Sequence, residues 1–383
     1  MPPSSPSPLV SVVVPVHDAA KTLRACLASV TAQTYPRLEI VVVDDASTDR
    51  SRLIAGEFPC RLLEHPRNRG VSAARNTGAA ASRGEILFFL DSDVGLDPGA
   101  VAAAVRLLAE DPGCGCVYGV YGKEPLVDDG PVETYRTLHL HHVLSRAAGP
   151  TATAVFAMAA VPRAVFEETG PFDENLRCAE DDEYSERLLA RYGIRISGEI
   201  TGRHDEADRL LPLLAEQYRR AQLMRFSARN RLRRDALKVT RTPGLLAAAL
   251  TAVAVPLGLA WRPALPAALA CPALFAVSDP GLSRFVLRER GPAFLAFFTG
   301  VHLLTHTALL AGAATGVVRA ALDSSFGPSR RAAPAPAPPR PRAPRSSPPA
   351  PSPPVPVPPD PVLPDPARPV PRARRTPGKA GEA

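Results

Sequence analysis

Two carboxylates one residue apart, Asp91 and Asp93, directly follow the apolar run ILFFL at residues 86–90. A second acid pair, Asp44 and Asp45, follows the run LEIVVV at residues 38–43. Continuous apolar runs of this length predict strands that are buried on both faces, as in the centre of a parallel sheet. Ligands of open α/β sheets bind beyond the carboxyl ends of the strands, so the two acid pairs predict a site at one edge of a sheet.

Carboxylates gathered at one sheet edge repel one another unless a cation or hydrogen-bond donors lie between them. Oxygen ligands suit a hard ion such as Mg²⁺ or Mn²⁺, which proteins bind through one or two carboxylates and complete with substrate phosphates. The acids therefore favour a divalent metal and a substrate that carries a diphosphate. Solvated turns after strands also often contain Asp, so the Asp-x-Asp pair alone leaves a purely structural turn open.

The segments that must position these acids alternate in character along residues 9–232. Strand-like runs at residues 9–16, 38–45, 60–65 and 85–91 are separated by helical stretches, one of which has apolar residues at positions 23, 26, 27 and 30. This alternation predicts an α/β domain with a mostly parallel central sheet. The first strand is followed by PVHDAAKTL. That segment lacks the Gly-rich turn a pyrophosphate needs to approach a helix, which argues against a dinucleotide dehydrogenase.

Residues 233–322 are apolar and form the second predicted region. The stretches GLLAAALTAVAVPLGLAW and FLAFFTGVHLLTHTALLAGAATGVV are each long enough to cross a bilayer. A third stretch, PALPAALACPALFAVS, is short and interrupted by Pro. Two or three membrane helices are therefore predicted, and buried helices of a soluble domain are the alternative.

Residues 323–383 form a Pro- and Arg-rich tail that carries ten Lys or Arg and four Asp or Glu, which is most of the net charge of +7. With few large apolar side chains, this tail is predicted to be disordered, as are residues 1–8. The remainder is nearly neutral, so no nucleic-acid partner is expected. Six Cys residues without metal-site or disulfide spacing fit a reducing cytosol, and no signal peptide is recognised at the N-terminus.

Three longer stretches carry a specific resemblance. They are VSVVVPVHDAAKTLRACLASVTAQTYPRLEIVVVDDASTD, GVSAARNTGAAASRGEILFFLDSD and GPFDENLRCAEDDEYSERLLARYGIRI. In order and spacing, residues 9–204 resemble family 2 glycosyltransferases. The resemblance implies the nucleotide-sugar-binding GT-A fold, a nucleotide-diphosphate sugar donor with a UDP-sugar favoured, and Mg²⁺ or Mn²⁺ as cofactor.

The resemblance also implies which residues bind the donor nucleotide: Pro15, His17, Asp44, Asp45, Arg75, Asn76 and Asp91. Within this set, Asp45 would bond the base and Asp91 the ribose. His17 stands where the family more often has Tyr, and Asp18 where it has Asn. These two departures leave the identity of the base open.

Metal binding and catalysis are implied for four further residues. Asp93 and His204 would hold the metal, although an isolated His is usually a polar surface or core residue. Asp181 would be the general base, and Glu180 would orient the acceptor. An acceptor hydroxyl is a poor nucleophile, so a carboxylate must take its proton as the new bond forms, while the metal neutralises the departing diphosphate. Direct displacement of this kind inverts the anomeric configuration.

Two histidine and acid patterns also have purely structural explanations. The stretch EDDEYSER could be a solvated helix face on which Glu183 and Arg187 pair at i, i+4. His139, His141 and His142 in HLHHV lie in an amphipathic pattern without a carboxylate, so they are not expected to bind a metal.

The stretch QYRRA indicates the length of the product. Processive members of the family carry Gln-x-x-Arg-Trp, whereas here Gln217 and Arg220 are followed by Ala221, so addition of a single sugar is expected. The sequence as a whole predicts a multi-pass glycosyltransferase of the cell membrane. Its catalytic domain would be cytoplasmic, and its acceptor a lipid or lipid-linked glycan.

Two other classes of function stay open. A sugar nucleotidyltransferase is one, although its Gly-rich N-terminal loop with a Lys is missing. A non-catalytic membrane scaffold whose Pro-rich tail recruits partner domains is the other.

Overall fold

The strands of the first 204 residues form one sheet in the computed structural model, which describes residues 7–176, 178–223, 242–323 and 326–327. The strands are β1 Val10–Val16, β2 Leu38–Asp44, β3 Arg61–Glu64, β4 Ile86–Leu90, β5 Val94–Leu96, β6 Cys114–Tyr121, β7 Gly149–Thr151, β8 Met158–Pro162 and β9 Gly193–His204. In the described residues their order is β3-β2-β1-β4-β8-β6-β9-β5, and β7 pairs with β9. The predictions of disorder at the two chain ends fall almost wholly outside the described residues.

Helices cover the sheet and then continue as an apolar C-terminal group. The part of the chain that forms the sheet contains α1 Leu23–Thr31, α2 Ser51–Ala55, α3 Val71–Ala81, α4 Ala100–Glu110, α5 Pro131–Arg146, α6 Arg163–Thr169, α7 Glu180–Leu188 and α8 Leu210–Gln222. The apolar group contains α9 Thr242–Ala260, α10 Leu265–Val277 and α11 Pro280–Leu322. The basic stretch of residues 219–234, which precedes α9, lies mostly outside the described residues.

The half of the sheet made by β1 to β4 is wholly parallel, as predicted. β1 pairs with β2 and β4, and every residue of β1 and β4 is buried. The periodic residues of α1, Leu23, Cys26, Leu27 and Val30, are likewise all buried. Because these strands run in one direction, the residues that follow β1, β2 and β4 meet at one edge of the sheet.

The second half of the sheet is mixed, and this arrangement completes that edge. β8 lies antiparallel between β4 and β6, while β9 runs parallel to β6. β5 then pairs antiparallel with β9 so that Val94 is opposite His204. This pairing brings Asp93 next to a histidine that is 111 positions later in the chain.

Two helices, α9 and α11, are long and apolar enough to cross a membrane by length and composition. Only 33% and 22% of their most apolar stretches are buried within the protein, so most of these side chains face outward. Buried helices of a soluble domain therefore fit the structure poorly. Gly291, with φ of 82°, breaks α11 just before Pro292, so its first three turns form a separate helical segment.

Helices α5 and α8 share a small apolar core with α11, here called the junction core. Its buried members are Tyr135 and Leu138 from α5, Leu213 from α8, and Leu282, Val286, Phe298 and Val301 from α11. Farther along α11, Gly312 and Gly316 lie directly against the backbone of α8. Ala221 faces Gly312 at this crossing, where its Cβ lies 2.9 Å from the position that a Cβ at Gly312 would take.

We expect Gly312→Leu to destabilise this helix crossing by about 1–3 kcal/mol, the usual cost of forcing extra side-chain atoms into a packed contact. A Cβ at Gly312 would overlap the carbonyl oxygen of Tyr218, which belongs to the backbone and cannot turn away. Gly300→Leu is the matched control, because a Cβ at Gly300 meets nothing within 4 Å. Thermal unfolding of both variants in detergent makes the comparison, and equal melting temperatures would contradict the crossing.

Candidate active site

A cleft of about 280 Å³ opens at the carboxyl ends of β1, β2 and β4. Five residues predicted to form the site line it together: Pro15, His17, Asp45, Asp91 and Asp93. The first turn of α3 forms another wall, through Gly70, Val71 and Ala74. Asp44 does not line the cleft. It is buried behind it, and its carboxylate accepts a hydrogen bond from the backbone N–H of Ser47 at 3.1 Å.

The carboxylate of Asp45 is held by donors from the protein itself. It accepts hydrogen bonds from the backbone N–H groups of Arg69 at 2.9 Å and Gly70 at 2.7 Å, and Nδ1 of His65 lies 2.6 Å away. Gly70, with φ of 91°, directly precedes α3 and turns this loop back toward the sheet. Asp45 therefore shapes the 65–70 loop, which adds Asn68 to the cleft wall, a residue that the sequence analysis missed.

Arg75 and Asn76 do not line the cleft. The Arg75 side chain is only 2% exposed, and its guanidinium donates to Asp91 at 2.9 Å and to Asp181 at 3.2 Å. The Asn76 amide donates to the carbonyl of Phe172 at 2.9 Å and accepts from the N–H of the same residue at 2.9 Å. In this structure Asn76 thus fixes the segment around Phe172, while Arg75 joins two acids.

Asp181 lies in the first turn of α7, which holds four consecutive acids at the positive end of the helix dipole. Its carboxylate accepts hydrogen bonds from Arg75 at 3.2 Å and from the N–H of Phe156 at 3.3 Å. Burial raises the pKa of Asp181 to about 7, with Glu180 and Asp91 adding to the rise and the Arg75 guanidinium opposing it. A carboxyl with this pKa can both take and release a proton near neutral pH.

In the acidic first turn of α7, Glu183 forms the structural ion pair that the sequence predicted as an alternative. Arg187 donates two hydrogen bonds to the Glu183 carboxylate, at 2.7 and 2.9 Å, in the predicted i, i+4 pair. The same guanidinium donates to the carbonyls of Thr169 and Pro171, at 2.7 and 2.9 Å. Glu183, through Arg187, therefore stabilises the turn that follows α6, while Asp181 contacts Arg75.

The neighbourhood of Asp93 and His204 fits a divalent cation. Among the described residues, Oδ1 of Asp93 is buried without a hydrogen-bond partner and lies 3.4 Å from Nε2 of His204. Nδ1 of His204 lies 2.9 Å from Glu206, and its ring stacks on Tyr121 with centroids 4.7 Å apart. A carboxylate on one ring nitrogen commonly orients the other toward a metal. Glu206, two residues after His204, was not predicted from the sequence.

The charge of His204 in the absence of a metal follows from these neighbours. Burial lowers the pKa of His204, but the adjacent carboxylates of Asp93 and Glu206 outweigh burial and raise the pKa to about 10. The imidazolium then neutralises the adjacent acids. A metal bound at this position would require the neutral ring, so its binding would release a proton.

A second group of acids, Asp129, Glu133 and Asp205, brings ligand atoms within 4.8 Å of one another. The ammonium of Lys21 forms ion pairs with Asp129 and with Asp205, the latter at 2.9 Å. The Glu133 carboxylate accepts from the backbone N–H of Asp129 at 2.8 Å and of Glu206 at 3.2 Å. This group holds a lysine and backbone donors in this structure. Three separate chain segments contribute to this group of acids and its lysine, so no local sequence motif predicts the group.

The three histidines of the HLHHV stretch contact different partners. Nδ1 of His141 lies 2.7 Å from the carbonyl of Tyr121. His139 packs against His302 with ring centroids 4.7 Å apart, and His142 packs against Phe285 at 5.2 Å. These rings connect α5 to the sheet and to α11.

Comparison with known proteins relates this acid-lined edge to one family. Residues 11–170 match the sequence model of glycosyl transferase family 2. Glycosyltransferase AglE of Haloferax volcanii is 42% identical over 97 residues, which are 24% of this chain and 32% of that protein. An uncharacterized glycosyltransferase of Haemophilus influenzae is 27% identical over 188 residues, 47% of this chain and 62% of that protein. The matched segments thus span less than two thirds of either relative.

A solved structure gives the same answer for the fold. The mannosyltransferase PcManGT from Pyrobaculum calidifontis, in complex with GDP-Man and Mn²⁺, superposes with a TM-score of 0.51 at 22% identity. The superposition covers 81% of this chain and 87% of that one. The GT-A-like fold is thus common to both chains, and residues 11–170, which contain most of the cleft described above, match glycosyl transferase family 2.

Proposed function

We propose that this protein transfers a sugar from a nucleotide-diphosphate sugar to an acceptor hydroxyl, with help from a divalent metal and with inversion at the anomeric carbon. The observation that carries the proposal is the arrangement at the sheet edge. Asp91 and Asp93 line the cleft, His204 adjoins Asp93, and Asp181 is connected to Asp91 through one shared guanidinium. The candidate base thus lies beside the proposed donor cleft, separated from Asp91 by a single guanidinium.

The chain's own residues would divide the work as follows. Pro15, His17 and the loop shaped by Asp45 would enclose the base, and Asp91 would bond the ribose. Asp93 and His204 would hold Mg²⁺ or Mn²⁺, which supplies positive charge against the departing nucleoside diphosphate. Asp181 would take the proton of the acceptor hydroxyl as the new bond forms, with Glu180 orienting the acceptor.

The apolar helices support a location and a class of acceptor. The exposed apolar faces of α9 and α11 suit a lipid bilayer, so the region 233–322 would anchor the catalytic region 9–232 to the membrane. A multi-pass anchor with the catalytic domain in the cytoplasm keeps the cleft beside lipid or lipid-linked glycan acceptors and raises their local concentration. The replacement of Trp by Ala221 favours the addition of single sugars.

A donor screen tests the proposal. The full-length protein in detergent is incubated with Mn²⁺ and with each of several UDP-, GDP- and dTDP-sugars, and release of nucleoside diphosphate is measured. We expect one base to be clearly preferred, with a UDP-sugar favoured by the resemblance, and we expect chelator to stop the release. The structural neighbour was solved with GDP-Man, so the GDP-sugars belong in the screen.

The same screen separates the rival functions. A sugar nucleotidyltransferase would instead release pyrophosphate from a nucleoside triphosphate and a sugar phosphate. A scaffold would release nothing and would bind no nucleotide. Either of these results would overturn the proposed transfer reaction.

A further inference from the structure

We propose that Arg75 is a positioning residue that joins Asp91, on the donor side of the cleft, to Asp181 and favours the ionised form of Asp181. This inference rests on the proposed function for the role of Asp181, but not for the contact itself. It differs from the direct nucleotide contact that the resemblance implies for Arg75.

The geometry of Arg75 shows why one side chain can serve both acids. Nη2 donates to Oδ1 of Asp91 at 2.9 Å, and Nη1 donates to Oδ1 of Asp181 at 3.2 Å. Glu180 lies 3.6 Å from the same Nη1. A planar guanidinium offers these donors in a fixed fork, so the separation of the two carboxylates is set by the width of one rigid group.

The surroundings of the guanidinium prevent it from turning away. Its carbon lies 5.5 Å from the centre of the Phe172 ring and 5.9 Å from that of Phe156. Both rings are fully or almost fully buried, and the Arg75 side chain is 2% exposed. A cation removed from water to this degree requires counter-charges. Among the described residues, the counter-charges are the three carboxylates that pair with this guanidinium, those of Asp91, Glu180 and Asp181.

The charges around Asp181 determine how its contact with Arg75 affects its protonation. The groups that face Asp181 are Arg75 of α3, Glu180 of α7, Asp91 after β4, the N–H of Phe156, and the neutral thiol or phenol groups of Cys116, Tyr118 and Tyr121 on β6. Burial and two acids favour the protonated carboxyl, while Arg75 is the one full positive charge in this set. Without Arg75, Asp181 would hold its proton to higher pH and could not serve as a base near neutrality.

Direct titration of Asp181 tests this inference without any substrate. The full-length protein is labelled with ¹³C at the Asp carboxyls, placed in detergent micelles, and followed by NMR from pH 4 to pH 10, with Asp181→Asn identifying the signal. In the wild type we expect a midpoint near pH 7. Arg75→Met should raise that midpoint by about 1 to 3 pH units, the effect of removing an adjacent opposite charge.

Arg75→Lys is the second variant, in case the apolar replacement prevents folding. Lysine keeps the charge but not the fork, so it should raise the midpoint less than Met does. Arg163→Lys is the matched control, because Arg163 donates to Gly84 and Ser82 at the opposite end of the sheet. The control should leave the Asp181 midpoint unchanged.

Binding of UDP and GDP with Mn²⁺, measured by calorimetry, completes the test. If Arg75 acts through the two acids and does not itself touch the nucleotide, Arg75→Lys, which keeps a charge beside Asp91, should lower these affinities by less than the roughly 10-fold loss expected for a charged hydrogen bond. An unmoved midpoint in both Arg75 variants, or an equal shift in Arg163→Lys, would overturn the inference. So would a large loss of nucleotide affinity with no change in the midpoint. Because the titration uses no sugar donor, its failure is distinct from a failure of the donor screen.

Discussion

Replacement of Asp181 by Asn is expected to slow sugar transfer by roughly 10²- to 10⁴-fold, the usual cost of losing a general base. Asn keeps the size of the side chain and can still accept a hydrogen bond from Arg75, but it cannot take a proton. Donor affinity should survive, because Asp181 does not line the donor cleft. Transfer rate and donor affinity, both measured with the nucleotide sugar that the screen selects, make the comparison.

The fold should tolerate this change. Because the pKa of Asp181 is raised from 3.8 to about 7, the folded protein holds a proton that the unfolded chain releases, and ionisation of Asp181 lowers stability as pH rises across that interval. Asn removes this loss, so the melting temperature at pH 7 should not fall. A variant that is inactive because it unfolds would fail this check.

Two neighbours on α7 serve as matched controls. Asp182→Asn and Glu183→Gln remove the same kind of charge, and the Glu183 carboxylate is already held by Arg187. Both variants should keep most of the transfer activity. If Asp182→Asn is the inactive variant, the base is one residue later than proposed. If all three variants transfer sugar normally, the acidic first turn of α7 has no role in catalysis.

Replacement of Asp93 by Ala should remove Mn²⁺-dependent nucleotide binding. A diphosphate carries its own negative charge and cannot lie beside Asp91 without a cation between them. We expect the affinities for UDP and GDP in Mn²⁺ to fall by at least about 10- to 100-fold. Loss of a residue that only orients a metal ligand typically has an effect of that size, and Asp93 is proposed to be a ligand itself. Calorimetry with and without chelator measures this effect.

The control for this second prediction is Asp111→Ala. Asp111 lies in the turn after α4 and accepts a hydrogen bond from the N–H of Gly113 at 3.1 Å, outside the cleft. Its removal should leave the affinity for both nucleotides and its dependence on Mn²⁺ unchanged. Wild-type binding that is equally tight in chelator would remove the metal from the proposed mechanism.

The parallel half of the sheet could be predicted because its signals are local. Runs such as ILFFL show burial on both faces within five residues, and the spacing of Leu23, Leu27 and Val30 shows the buried side of α1 directly. Which acids share the sheet edge then follows from strand direction alone. The resemblance added His204, which the pairing of β5 with β9 places beside Asp93.

The partners of the site residues could not be predicted in the same way. From the sequence, Asp45 looks like an acid at a strand end without hydrogen-bond partners in the protein. In the structure, groups twenty or more positions later in the chain bind its carboxylate. Arg75 reads as a surface cation of an Ala-rich helix, and its burial depends on Phe156 and Phe172, which approach from remote segments. Such contacts are set by tertiary packing, which a local pattern does not contain.

The junction core makes the catalytic region and α11 one cooperative unit. Leu213 of the catalytic region packs with Val286 and Phe298 of α11, and glycines of α11 lie against the α8 backbone. Removal of either the catalytic region or α11 would therefore expose surface that the other now buries. A chain cut near residue 232 would leave Tyr135 and Leu213 facing solvent. The catalytic region is thus defined by its chemistry, whereas its stability belongs to a longer stretch of chain that includes the last helix.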